Sequence, residues 1–283
     1  MTAGWVAGTV RAQAIARRVL GADAALQLAA CTSLPEAQRM LVTTPFRDAS
    51  EPGLSLAAAQ HAIAGTILWD LRVLAGWLPQ DGVSLLRLLA GWFEIANVDE
   101  LLQALAGRPP GAEFQLGALA TAWPRLSEAR SSAELRRALA SSAWGDPGGD
   151  TSRDIRAGLR ARWAYRVAAS GDRAQAWATA AVAAASLGGL GRARQSRPGR
   201  PHSTVMAAAP AAEPWRAEAD WWRRVEREGR VLLRSSATDN GPVLGAVVVM
   251  AADARRARAA LASAARGGAG RGGLALEAYD ALV

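Results

Sequence analysis

The chain has 283 residues, 51% of them hydrophobic, and a formal net charge of +8 carried entirely by arginine, since lysine is absent. Without lysine, the usual phosphate-binding loop and a lysine Schiff base are excluded, so we expect no nucleotide hydrolysis by this chain alone. The length allows one large domain or two smaller ones with a buried core. Alanine is abundant while Phe and Tyr number only three and two, and we therefore predict an all-α fold.

The positive charge is concentrated in the second half of the chain. Residues 1–150 hold 12 Arg and 14 acidic residues, whereas residues 151–283 hold 21 Arg and 11 acidic residues. The basic half indicates an anionic partner, which could be nucleic acid, an acidic membrane surface or an acidic protein. No export signal is recognised, and the most apolar window, residues 242–252, is shorter than the ~20 residues of a membrane helix. We expect a cytoplasmic protein without a membrane span.

A unit of 16 residues occurs twice, at residues 33–48 and 98 positions later at residues 131–146. Each copy begins with Ser followed three residues later by Glu, the pattern of a capping box at a helix start. Apolar residues at helical spacing follow, and the copies end at Pro45 and at the Gly145-Asp-Pro-Gly-Gly turn. Each copy is predicted to be a short helix with a terminal turn, and the duplication indicates similar units packed side by side.

Longer helices are predicted around these units. Ser55 caps one that runs to Pro79, a second spans about residues 83–105, and Thr151 with Asp154 caps a third. Beyond residue 212, we predict a helix over about residues 213–228, then an apolar stretch, and then an Arg-rich helix that begins at Asp253.

The sequence Trp-x-x-Arg-Val recurs on three of these predicted helices, starting at Trp69, Trp163 and Trp221. The recurrence indicates equivalent positions on equivalent helices. The domain prediction has four parts: a first helical lobe (residues 1–110), a second lobe (111–185), a flexible basic linker (186–214) and a reduced third lobe (215–283).

Groups suited to catalysis or metal binding are few and scattered. His61 and His202 lie far apart, and the single Cys31 has no nearby His, so neither a metal site nor an activated thiolate is indicated. A buried small residue is the better interpretation of Cys31. The Gly-x-Gly sequences at residues 189–191 and 268–272 lack the strand and helix of a dinucleotide loop and are interpreted as flexible loops.

The adjacent residues Asp99 and Glu100 point about 100° apart on a helix, so they are interpreted as a solvated face, not as a carboxylate pair. A Trp and Arg cluster is the sharpest binding candidate, because aromatic faces beside guanidinium groups could stack on bases. Core packing is the favoured alternative for its tryptophans. The cluster comprises Trp215, Trp221, Trp222, Arg223 and Arg224. No catalytic, cofactor-binding or metal-binding residue is assigned.

Four segments, taken in order, resemble the C/AC39 subunits of V-type and archaeal-type rotary ATPases, called subunit d in eukaryotic complexes. They are Val10-Arg11 through Arg17, Thr44-Pro45-Phe46, the stretch Trp92-Phe-Glu-Ile-Ala-Asn97-Val98 through Leu101, and Gly241-Pro242 through Arg256. The similarity covers residues 4 to about 185 and 215 to 283. The third copy of the short helix, expected within residues 186–214, is missing, so that lobe is either eroded or replaced by a divergent loop.

The resemblance implies a funnel-like array of helices in three pseudo-equivalent lobes, the third reduced here, that joins the central shaft to the membrane rotor ring. The leading hypothesis is therefore a non-catalytic central-stalk subunit for ion (proton) transport, peripheral on the inner face of the membrane. Rotor ring and shaft subunits would be its partners, with no cofactor and no small-molecule substrate. The alternative is an Arg-rich helical protein that binds nucleic acid through residues 151–283.

Overall fold

The computed structural model describes residues 3–170, 214–235 and 239–268, and of residues 214–221 only the backbone. The prediction of an all-α protein is confirmed over these residues, which contain helices and no strand. The helices are α1 (Ala3–Ala16), α2 (Ala22–Ala30), α3 (Leu34–Met40), α4 (Leu56–Ala75), α5 (Gln80–Leu105), α6 (Trp123–Leu126), α7 (Ser132–Ala140), α8 (Ser152–Ala169), α9 (Pro214–Leu233) and α10 (Asn240–Ala264), with 3-10 turns at Arg47–Ser50 and Gly117–Leu119.

Helix α10 is the most buried helix of the described fold. It packs against α1, α2, α3, α4 and α9, and 19 of its 25 residues are buried. Asp239 caps it by accepting the N–H of Gly241 at 2.8 Å. The apolar stretch and the Arg-rich helix predicted from Asp253 are thus one continuous helix, because nothing in the stretch interrupts the hydrogen bonding once Pro242 has been placed in the first turn.

Buried acidic residues join α10 to its neighbours. Asp253 accepts the N–H groups of Leu20 and Gly21, at 2.7 and 2.8 Å, and so holds the turn between α1 and α2. Gly21 has φ +84°, a conformation that glycine adopts without strain. On the other side, Glu226 of α9 pairs with Arg256 of α10. Burial acts to raise the pKa of Glu226, but Arg256 and Arg230 hold it below its ordinary value.

The two copies of the duplicated unit have the same local structure. Ser33 and Ser131 have φ of −152° and accept the N–H of Glu36 and of Glu134. The two glutamates also match: each accepts the backbone N–H one residue before the cap, from Thr32 and Arg130, both at 2.8 Å. The predicted capping is therefore confirmed, with the carboxylate contact shifted outward by one residue.

The ends of the two units correspond as well. Thr44 and Ser142 each donate from the hydroxyl to a carbonyl three residues back, at 2.8 Å. The same hydroxyls accept the N–H of Phe46 and Trp144, whose rings are almost completely buried. The aromatic residue after each unit's turn thus anchors the unit in the core.

The Trp-x-x-Arg-Val sequences, in contrast, are not equivalent, and that part of the prediction is wrong. Trp69 is 59% exposed, whereas Trp163 is 3% exposed and donates its indole N–H to the carbonyl of Leu88 at 2.8 Å. Trp69 lies 14 residues after its N-cap Ser55, but Trp163 lies 12 after Thr151. Two positions turn a side chain by about 200°, so the tryptophans point to opposite sides of their helices. The Trp221 side chain lies outside the described residues.

Helix bounds also differ from the predictions in places. Helix α4 ends at Ala75, before Pro79, because its last turn closes at Gly76, and α5 already begins at Gln80 behind Pro79 as N-cap. The predicted linker lies outside the described residues except for Pro214, which begins α9. The division into lobes and their funnel-like arrangement stay predictions.

Candidate docking groove

An open groove of about 960 Å³ lies on the first half of the fold. Its walls are the turn between α1 and α2, the end of the first duplicated unit, the middle of α4 and the loop at residues 113–115. The turn of the first unit places Thr43, Thr44, Pro45, Arg47 and Asp48 on one wall, with the buried ring of Phe46 beneath them. The groove therefore stands on a rigid base and opens to solvent.

Trp69 is the largest exposed apolar side chain that lines the groove. Its neighbour Arg72 lies with its guanidinium carbon 5.4 Å from the indole centroid, a cation–π distance. Arg72 also donates to the carbonyl of Gln115 at 3.3 Å, which ties α4 to the opposite loop. An exposed tryptophan held by a guanidinium group is typical of a surface that binds a partner.

Charged side chains surround this tryptophan. Arg18 lies 3.6 Å from Asp70, whose carboxyl group is buried while the arginine is exposed. Burial raises the pKa of Asp70, and Arg18 acts against that rise. Arg47 and Asp48 are both exposed, and Nε of the arginine lies 4.0 Å from Oδ1 of the aspartate. An exposed ion pair of this kind contributes little to stability.

His61 and Phe114 form the inner wall of the groove. Their rings stack with centroids 4.0 Å apart and planes at 19°. Burial lowers the pKa of His61, so the imidazole is neutral at neutral pH and behaves as a packed ring. Asn97 fixes the other partner, because its side chain donates to the Phe114 carbonyl at 2.9 Å and accepts the Phe114 N–H at 2.8 Å.

A fully buried carboxylate, Glu94, lies three residues before Asn97 on α5 and holds the backbone just after the 3-10 turn Gly117–Leu119. Its two oxygens accept the N–H groups of Thr121 and Ala122, at 2.6 and 2.8 Å, and the indole N–H of Trp144 at 2.6 Å. In the sequence, Glu94 and Asn97 stood out only as members of the Trp92 to Leu101 stretch that resembles the family. Two polar residues three apart within a mainly apolar helix were the available signal of this role.

The remaining candidates are structural where they are described. Cys31 is buried, as predicted; its sulfur lies 3.3 Å from that of Met40, and burial raises the pKa of its thiol. Asp99 and Glu100 diverge as predicted, but the interpretation as a solvated face is wrong for Asp99. The Asp99 carboxylate forms ion pairs with Arg156 and Arg160 of α8, at 2.8 and 2.9 Å, because α8 packs on that side of α5.

The Trp and Arg cluster is only partly described. Trp222 is half-buried, and the guanidinium carbon of Arg255 from α10 lies 5.4 Å from its ring, so it packs between helices. Arg224 is exposed. The side chains of Trp215 and Trp221, together with His202 and residues 189–191, lie outside the described residues, as do residues 269–272 of the second glycine loop.

Many arginines of the basic half are held by contacts within the chain. Arg162 donates to the carbonyl of Asp146 at 2.8 Å, and Arg166 lies 5.9 Å from the Trp144 ring. Arg156, Arg160, Arg230 and Arg256 form the ion pairs already described. The excess of Arg in sequence therefore overstates the charge available to a nucleic acid.

Within residues 3–170, 214–235 and 239–268, no three His, Cys or acidic side chains converge as metal ligands. In the same ranges, no helix combines the length and apolar character required to cross a membrane. No protein-family model matches the chain, and a search of the curated proteins found no match. The described residues define a helical protein with an open groove of about 960 Å³.

Proposed function

We propose that this chain is a non-catalytic central-stalk subunit of a V-type rotary ATPase, which couples the central shaft to the membrane rotor ring during ion transport. The single observation that carries the proposal is that the two duplicated units, 98 residues apart, form the same cap and turn hydrogen bonds. A duplicated, core-anchored helical unit is suited to a scaffold with several similar faces.

Stiffness of the described helices supports the mechanical role. A coupler must pass torque without bending, and close packing with buried polar links gives low compliance. Glu94 links α5 to the Trp144 end of the second unit, and Asp253 links α10 to the α1–α2 turn. Each link joins segments that are far apart in sequence, which favours a fold that resists bending.

The residues that carry the family resemblance also have positions consistent with this role. Thr44 and Pro45 line the groove, Phe46 is buried beneath them, and Asn97 of the Trp92 to Leu101 stretch bonds the groove-lining Phe114. Two of the four segments that resemble the family therefore contribute to one open surface, one by lining it and one by holding Phe114. That surface is our candidate for contact with a shaft or ring subunit, on the cytoplasmic side of the ring.

Co-purification and coupled pumping test the proposal. The full chain is expressed with the shaft and ring subunits encoded in the same genome, and affinity capture of the chain is expected to recover both. Complexes without the chain should still hydrolyse ATP on the catalytic head but lose ATP-driven ion uptake into vesicles. Intact ion uptake without the chain, or capture of neither partner, contradicts the proposal.

A further inference from the structure

We propose that a second, smaller pocket, between α4, α5 and α10, binds a small aromatic monocarboxylate. The inference does not depend on the rotary-ATPase proposal, because all of the residues that form the site belong to this one chain. It starts from the aromatic rings that line the pocket, the arginine beside them and the size of the space that they enclose.

The pocket has a volume of about 250 Å³ and opens to solvent. Residues within 57–64 of α4 form one side, residues within 92–96 of α5 form another, and Arg258 of α10 contributes a third. Three alanines leave space between the larger side chains, which are mostly aromatic. A concave, mainly apolar lining with a few polar groups is typical of small-molecule sites.

The aromatic side chains of the pocket hold one another in place. Phe93 meets Phe114 edge to face, with ring centroids 5.1 Å apart, and Phe114 stacks on His61. Trp92 lies 5.4 Å from the buried ring of Trp163 and is itself 39% exposed. The rings therefore form a preorganised surface, on which a planar ligand ring can pack without first ordering the side chains.

Arg258 supplies the positive charge of this lining, and the described part of the chain provides no acidic partner for its guanidinium group. Its backbone carbonyl accepts a side-chain N–H of Gln60 at 3.1 Å, which fixes α10 beside α4 at the pocket. The arginine side chain is exposed enough for a ligand to reach it, but burial by neighbouring atoms still lowers its pKa.

A bound carboxylate would offset this loss of hydration. A guanidinium group that gives up water without gaining an anion is destabilised, and a carboxylate restores two parallel hydrogen bonds together with the opposite charge. Among the described residues no acidic side chain lines this pocket, whereas the groove around Trp69 has three acidic side chains for its three arginines. The ligand's carboxylate would therefore meet no competitor from the lining, while its ring covers Trp92 and Phe114.

The charge and the size of the pocket favour a monoanion with a single ring. Burial lowers the pKa of His61, and the nearby Glu100 acts to raise it, so this carboxylate is felt at the pocket wall. A dianion such as a phosphate monoester would be repelled by Glu100, with one arginine to offset the repulsion. The volume also lies below the ~300–1,000 Å³ of pockets for drug-sized ligands, so a nucleotide fits the site less well than a benzoate-like acid.

Calorimetric titration of the full chain with benzoate and with its neutral analogue benzamide tests the proposal. We expect benzoate to bind with a dissociation constant of about 1 mM or tighter, and at least about tenfold more tightly than benzamide. Arg258→Gln should weaken benzoate binding to the level of benzamide. Arg266→Gln is the matched control and should leave the affinity unchanged, because Arg266 is an exposed arginine just beyond α10 that does not line the pocket.

Equal affinities for the two probes, equal losses in the two variants, or no binding of benzoate each overturn the proposal; the last result is also expected if a carboxylate of the chain itself occupies Arg258. NMR on the chain with native Arg258 locates the site independently. The indole N–H signal of Trp92, assigned with Trp92→Phe, should shift when benzoate is added, and that of Trp77 should not, because Trp77 does not line the pocket. A shift confined to the signal of Trp69 would place the ligand in the groove and would likewise overturn the proposal.

Discussion

Glu94 and Trp144 lie 50 residues apart in sequence, yet the carboxylate of one accepts the indole N–H of the other at 2.6 Å inside the core. The same carboxylate also accepts the backbone N–H groups of Thr121 and Ala122. One side chain therefore joins the second duplicated unit to the backbone at residues 121–122.

Replacement of this carboxylate should destabilise the fold strongly. In Glu94→Gln, an amide NH₂ faces N–H donors that need an acceptor, so at least one buried donor is left unsatisfied. We expect a loss of about 3 kcal/mol in the free energy of unfolding, measured by urea denaturation. The control Glu128→Gln replaces an exposed glutamate and should change stability by less than about 0.5 kcal/mol. Equal effects of the two variants would disprove the role of Glu94.

The two caps should contribute similar amounts to the free energy of unfolding. Ser33→Ala and Ser131→Ala each remove the hydroxyl that accepts an N–H at the third helical position, and each should cost about 1 kcal/mol. The double variant should lose the sum, because the two caps share no contact. Ser132→Ala, beside one cap but not the N-cap itself, is the control. Denaturation curves that show a loss at only one of the two caps would contradict their equivalence.

Asp146 should make stability depend on pH in acid solution. Hydrogen bonds from Arg136 and from the N–H of Gly148 lower the pKa of Asp146 to about 2. A lowered pKa in the folded state stabilises the fold above the ordinary value of 3.8, and this contribution is lost as pH falls from 3.8 through about 2. Asp146→Asn should therefore be less stable than the original chain at pH 6 and about equal to it near pH 2.

The first duplicated unit supplies the matched control for that titration. Asp48 is the counterpart of Asp146 but lies 4.0 Å from its nearest arginine nitrogen, so Asp48→Asn should have a smaller effect at pH 6. Thermal unfolding of both variants between pH 2 and pH 6 measures the difference. A gap for Asp146→Asn that is constant across this range would rule out the titration.

Trp69 should contribute to partner binding and little to stability. We expect Trp69→Ala to weaken capture of the shaft or ring subunit at least tenfold, because large exposed aromatic residues dominate many interfaces. Trp77→Ala is the control, since Trp77 is 51% exposed near the same helix but does not line the groove. Titration of each variant against the separate partners gives the comparison. Similar binding by both variants would place the interface elsewhere.

The caps and the fold class were predictable from the sequence, and the groove was not. The caps at Ser33, Ser55, Ser131 and Thr151 were predictable because a cap depends on three or four neighbouring residues. The all-α class was predictable from composition for a similar reason, since helix hydrogen bonds are local. The groove was not predicted, because Trp69 was assigned to the position of the buried Trp163.

Local hydrogen bonding is therefore what the sequence alone determined: the helices, their caps and the duplicated unit with its turn. Tertiary packing decided the rest. A shift of two residues relative to the N-cap turned Trp69 toward solvent and Trp163 toward α5, and only the surrounding helices establish which side is buried. Glu94 likewise acquires its partners from 27 to 50 residues away, so its role arises only when the chain has folded.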